Sequence, residues 1–243
     1  MMLIYDILLD VFYYITSKED LYSISRVCTL WNQACYDSGS WKIIKFLVDN
    51  KLCWCDSKII FRRGCFCGHL DLVQWSTTNY FMCIKNLYRG FEIACIHGQL
   101  KVAKWIYQNF NFGDDFDAYY IFLQVCSKGY FQVAKWIYEI YPLYRLESCH
   151  IFQNICVHGH LNVAKWFYPI ILSKLHQNQK TLVELRCGVF TEVCRQGYLK
   201  MAMWLYSTFD VKMTPFVRYA LYYARQNGYR DTVEWLCSTF NLI

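Results

Sequence analysis

The sequence predicts an all-α chain in which a three-helix N-terminal module precedes a solenoid of paired helices. Three observations carry that prediction. The first is a period: Gly68, Gly98, Gly129, Gly159, Gly197 and Gly228 recur at spacings of 30, 31, 30, 38 and 31 residues, the range of stacked supersecondary units. The second is what surrounds each glycine. Seven residues later stand Trp75, Trp105, Trp136, Trp166, Trp204 and Trp235; three earlier stand Cys65, Cys95, Cys126, Cys156, Cys194 and then Arg225; seven earlier stand Phe61, Phe91, Phe122, Phe152, Phe190 and then Leu221. The third is phase. Before Gly159, Phe152, Ile155 and Cys156 fall on one helical face, and after it Leu161, Val163, Ala164, Trp166 and Phe167 form a wider stripe of the same period. The unit reads as helix, glycine turn, helix.

Composition agrees with a folded, non-secreted chain. Of 243 residues, 56% are hydrophobic and 19% aromatic, ample for a continuous core and contrary to disorder. The net charge of +6 is mild, and residues 1–50 hold six acids against four bases, so the surplus is spread along the repeats and does not point to nucleic acid. Fourteen cysteines would fit a disulfide scaffold, but five of them share one repeat slot, where cysteine serves as a small apolar residue. The first ten residues are interrupted by Asp6 and Asp10, so no signal peptide is expected. The longest stretch without Asp, Glu, Lys or Arg is 148–164, which holds three histidines and belongs to a repeat, so no membrane span is expected. Cytoplasm or nucleus is the expected location.

Residues 1–45 stand outside the repeat. Ile7, Leu8, Val11 and Phe12 share a helical face; Ser17, Lys18, Glu19 and Asp20 read as a loop and N-cap before a second helix with Leu21, Ile24, Val27 and Cys28. A third short helix holds Leu30, Trp31 and Ala34 before the break at Asp37-Ser38-Gly39-Ser40. Three helices this short cannot bury so much apolar surface among themselves, which marks a partner site. Leu3, Asp6, Ile7, Leu8, Asp20, Leu21, Val27, Cys28, Trp31 and Trp41 match, in order and spacing, the pattern of the F-box, which this module resembles. Ile4 stands where that family has proline, and Ser40 where it has leucine before Trp41. The resemblance implies docking onto Skp1 of an SCF-type cullin ubiquitin ligase, through Leu3, Leu8, Leu21, Val27, Cys28 and Trp31. Residues 46–60, continuing an apolar run from Trp41 and Ile44 through Phe46 and Leu47, read as a connecting helix covering the first repeat.

Residues 61–243 hold the six repeats. Their Gly-x-Leu-x-Val-Ala-Lys-Trp core, as in Gly159-His160-Leu161-Asn162-Val163-Ala164-Lys165-Trp166, resembles divergent ankyrin repeats of the kind abundant in giant DNA viruses. The resemblance implies a protein-binding solenoid, in a host cytoplasm if the chain is viral. The opening Thr-Pro of standard ankyrin repeats is absent, so their hairpin fingers are expected to be plain loops. In the last repeat Arg225, Arg230 and Thr232 replace apolar residues, as expected of a polar cap.

Other constellations have plainer readings. Cys53, Cys55, Cys65, Cys67 and His69 bring thiols and an imidazole together, but their i, i+2 spacing departs from the Cys-x₂₋₄-Cys of structural zinc sites, so no metal or other cofactor is expected. His97 and His158 read as polar turn residues, and Lys104, Lys135 and Lys165 as a solvated basic stripe. No phosphate-binding loop or hydrolase motif is present, so the chain is not expected to be an enzyme. The leading function is a substrate adaptor that brings a target protein to a ubiquitin ligase; the alternative is an interaction protein that sequesters its target, and a nucleic-acid or metal role ranks third. Between each tryptophan and the next phenylalanine the repeat similarity is lost. Target binding is therefore expected on these loops and the adjoining first-helix faces, with Phe112, Tyr141 and Tyr144 as contacts. The loop after Trp166 is seven or eight residues longer than the others and reads as a solvent-exposed insertion, 173–187.

Overall fold

The computed structural model describes residues 57–112, 117–141, 148–175, 188–209 and 215–242. These fall into two compact units, Met1–Asp115 and Phe116–Ile243. Among the described residues every regular element is an α-helix. The first unit contains α1 (Ser57–Cys67), α2 (Leu70–Asn79), α3 (Ile84–Ile96) and α4 (Leu100–Asn109). The second contains α5 (Ala118–Ser127), α6 (Phe131–Ile140), α7 (Ser148–Val157) and α8 (Leu161–Leu175). It continues with α9 (188–195), α10 (Leu199–Phe209), α11 (Pro215–Gln226) and α12 (Arg230–Phe240). The expected connecting helix lies, for residues 46–56, outside the described residues.

Each pair turns at its glycine. All six lie at φ between 75° and 82°, the left-handed region that penalises any Cβ. At Gly159 the turn closes as a C-terminal helix cap: the Gly159 N–H donates to the Cys156 carbonyl at 3.0 Å and the His160 N–H to the Ile155 carbonyl at 3.2 Å, satisfying carbonyls that the end of α7 would otherwise strand. The Leu161 N–H then bonds the Gly159 carbonyl at 3.0 Å and α8 begins.

Packing follows the repeated volumes. Phe61, Phe91, Phe122, Phe152 and Phe190 are fully buried, as are Cys65, Cys95, Cys126, Cys156 and Cys194 beside them. Each buried phenylalanine contributes roughly 1.5–3 kcal/mol. First helices lie on first helices (α1 on α3, α5 on α7) and second on second (α2 on α4, α6 on α8). Helix α3 approaches α1 so closely at Gly90 that a Cβ there would overlap the Phe61 ring. The tryptophans join neighbouring repeats. Trp166 meets Phe131, Tyr138 and Phe122 of the preceding pair at 5.8, 5.7 and 6.5 Å between ring centroids. Trp204 repeats the contact on Phe152 and Tyr168, and Trp235 on Phe190 and Tyr206.

Three details depart from the sequence expectations. Repeat similarity does not stop at the tryptophan: twelve residues after each glycine stand Tyr80, Phe110, Tyr141, Ile171, Phe209 and Phe240. Tyr80, Phe110 and Tyr141 end their helices in extended conformation, each donating its N–H to the carbonyl of Ser76, Ile106 or Ile137. This slot was obscured because it alternates tyrosine, phenylalanine and isoleucine. Second, α8 runs on through Pro169 to Leu175, so Ser173, Lys174 and Leu175 of the expected insertion are helical; Ile171, fully buried, holds that extra length to the core. The rest of the insertion, 176–187, lies outside the described residues. Third, Thr232 is buried and fills the slot of Val102, Val133 and Val163, so the polar surface of the last pair comes from Arg225 and Arg230, both exposed. The α2–α3 connection, 80–83, is a plain loop.

Candidate protein-docking surfaces

What holds the first helices in register also decides which of their faces stay open. At three turns the carbonyl two residues before the glycine receives a side chain from the next repeat: Gln99 Nε2 donates to the Phe66 carbonyl at 3.1 Å, His160 Nε2 to that of Ser127 at 2.8 Å, and Asn227 Nδ2 to that of Arg195 at 2.8 Å. At four of the turns the residue after the next glycine lies over the glycine. A Cβ would strike Gln99 at Gly68, His160 at Gly129, Tyr198 at Gly159 and Tyr229 at Gly197, whereas at Gly228 it would meet nothing within 4 Å. An open groove of about 270 Å³ remains there, lined by Arg225, Gly228, Arg230, Val233 and Glu234.

Exposed aromatic surface is concentrated on the first helix of that last pair. Pro215 opens α11 where a missing N–H costs nothing. Val217, Ala220, Leu221 and Ala224 are buried, and the helical period then sends Tyr219 and Tyr222 to the opposite side, 57% and 56% exposed. Phe216 and Tyr223, also exposed, flank this row on one side, and Arg218 and Arg225 on the other. The ring of Tyr222 meets that of Tyr223 edge-on at 5.3 Å. The backbone carbonyl of Phe216 accepts from the Thr191 hydroxyl on α9 at 3.4 Å, which places the Phe216 flank toward the preceding repeat. On α9 itself Glu192 and Arg195 form an ion pair, Arg195 Nε donating at 2.8 Å. That hydrogen bond holds the Glu192 carboxyl below its ordinary range.

The expected target contacts sit in different surroundings. Phe112 is half-buried, its ring 5.4 Å from that of Phe91 and edge-on to Tyr88 at 6.0 Å, so it covers the core of the first unit. Tyr141 is half-buried in the capping slot. Tyr144 lies outside the described residues. Sequence reasoning passed over Phe81, 94% exposed in the α2–α3 loop, and the α11 row. Their aromatic content was visible, but periodicity alone cannot say which of two apolar faces lacks a neighbour. Lys104 and Lys135 are half-buried and Lys165 is exposed; Lys135 Nζ stands 5.7 Å over the Phe131 ring. Cys65 is fully buried, and Cys53 and Cys55 lie outside the described residues. No group of three metal-ligating side chains occurs among the described residues, and no helix among them is long and apolar enough to cross a membrane.

The expected Skp1 contacts, Leu3, Leu8, Leu21, Val27, Cys28 and Trp31, lie outside the described residues. Family comparison reaches them. A family model described as F-box-like matches residues 5–46, which takes in all of these except Leu3. No curated protein matches the chain. The chain therefore carries an F-box-like segment ahead of an all-helical series of repeats.

Proposed function

We propose that this chain is a substrate adaptor of an SCF-type cullin ubiquitin ligase, in which residues 1–45 dock Skp1 and ankyrin-type repeats across 61–243 hold a target protein. The observation that carries this reading is the F-box-like match over residues 5–46. Within it stand Leu8, Asp20-Leu21, Val27-Cys28 and Trp31 at the spacing of the F-box pattern. The repeat slots support an ankyrin-type scaffold, and exposed aromatic and arginine side chains on it support protein binding, because such residues dominate interface energetics. Slot cysteines kept as thiols fit cytoplasm or nucleus.

Retention of purified Skp1 by the full-length chain tests the proposal. Leu8→Ala with Val27→Ala should abolish capture, since deleting buried interface contacts costs about 2 kcal/mol or more. Absence of Skp1 retention by the wild-type chain at micromolar concentration overturns the adaptor reading. Ile4, standing where the F-box family has proline, favours one second reading: a chain that sequesters its target without recruiting a ligase. Target binding without Skp1 binding would establish it.

A further inference from the structure

We propose that the outward face of α11, together with the groove at Gly228, docks an acidic segment of a partner protein that also carries apolar side chains. The proposal rests on the reading of the repeats as a target-binding scaffold and is independent of Skp1. Four aromatic side chains on one helix, Phe216, Tyr219, Tyr222 and Tyr223, are each more than a third exposed. Tyrosine supplies large contact area with few rotors and a hydroxyl that can still hydrogen-bond, so a row of them binds at low entropic cost.

Charge selects the occupant. Helix α11 carries Arg218 and Arg225 and no carboxylate. Among the described residues neither these nor Arg230 forms an ion pair. Glu192, on α9 of the preceding repeat, is already taken by Arg195. Arg218 and Arg225 therefore flank the tyrosine row without a carboxylate partner, Arg225 Nη2 lying 3.5 Å from the Cys237 sulfur. At the groove Arg225 and Arg230 outnumber the single carboxylate of Glu234, so that a guanidinium fork can bind a further carboxylate bidentately. A second copy of this chain fits poorly, because a two-fold contact of α11 with itself sets arginine against arginine. Single-stranded nucleic acid could stack on the same rings, but it needs a run of cations along its backbone, and Asp231 and Glu234 on α12 interrupt one.

The test pans displayed random peptides of about ten residues, longer when extended than the ~18 Å of α11, over the full-length chain. Selected peptides are then measured by fluorescence anisotropy. The expected result is enrichment in Asp and Glu, at least a roughly tenfold loss of affinity in Tyr219→Ala with Tyr222→Ala, a comparable loss in Arg225→Glu, and unchanged far-UV circular dichroism. Peptides without acidic enrichment, no selected peptide at all, or equal binding by both variants overturns the proposal. So does tighter binding of oligo-dT that competes with the peptides, or a dimer that the tyrosine variant dissociates. Skp1 retention measured on the same preparations keeps this outcome separate from that of the adaptor reading.

Discussion

Cys65, Cys95, Cys126, Cys156 and Cys194 have no exposed surface, and burial raises each of their thiols, Cys194 up to about 12. A thiol with so little thiolate is a poor nucleophile. Under native conditions iodoacetamide should therefore label exposed Cys83 and spare these five, which should react only after denaturation; peptide mass mapping reads both. The slot was legible in the sequence because five of the six repeats set the same small volume against the same phenylalanine. The tryptophan slot was legible too, although its burial was not: Trp166 is only half-buried, bound by rings on one side. Trp166→Ala should cost about 3 kcal/mol, the low end for deleting a large aromatic, while Gln108→Ala on the exposed side of α4 should change stability by less than ~0.5 kcal/mol. Urea denaturation of the two variants distinguishes them.

At the level of elements, helices and turns were readable because glycine spacing and apolar period agree, and the α11 face was not, because its aromatic residues match the core pattern in type. The Tyr219 slot faces outward in other repeats too, where Ile59 and Tyr120 are exposed. Turn glycines give the sharpest test. Gly129→Ala places a Cβ at φ 76° and against His160, combining backbone strain of about 1 kcal/mol or more with loss of the His160–Ser127 hydrogen bond. Gly188→Ala, whose Cβ would meet nothing within 4 Å, should be neutral or slightly stabilising. Thermal melts should separate the pair by several degrees. Acid should act on α9. Because Arg195 depresses the Glu192 pKa, the pair stabilises the fold above the ordinary carboxylate range, and that contribution disappears as pH falls through the depressed value. Glu192→Gln should flatten this part of a melting-temperature profile without moving the neutral-pH limb's shape.

For the whole molecule, the proposed adaptor role divides between the F-box-like match at residues 5–46 and the helical repeats, which makes the two halves separable by experiment. Deleting residues 1–45 should remove Skp1 retention while preserving the far-UV helical signal and peptide binding at α11; loss of all three together would mean that the N-terminal module is needed to fold the repeats. The exposed α11 residues are illegible in the sequence for a physical reason: slots are constrained by packing, whereas the exposed Tyr219, Tyr222 and Arg218 are not. The turn hydrogen bonds carry one last implication. At Phe66, Ser127 and Arg195 the carbonyl of one repeat is completed by a side chain of its successor, so these three joints are stored half in one repeat and half in the next. A repeat duplicated or excised between equivalent positions then brings the two halves of such a joint together again. Arrays of this design can change length by genetic exchange without relearning how to fold.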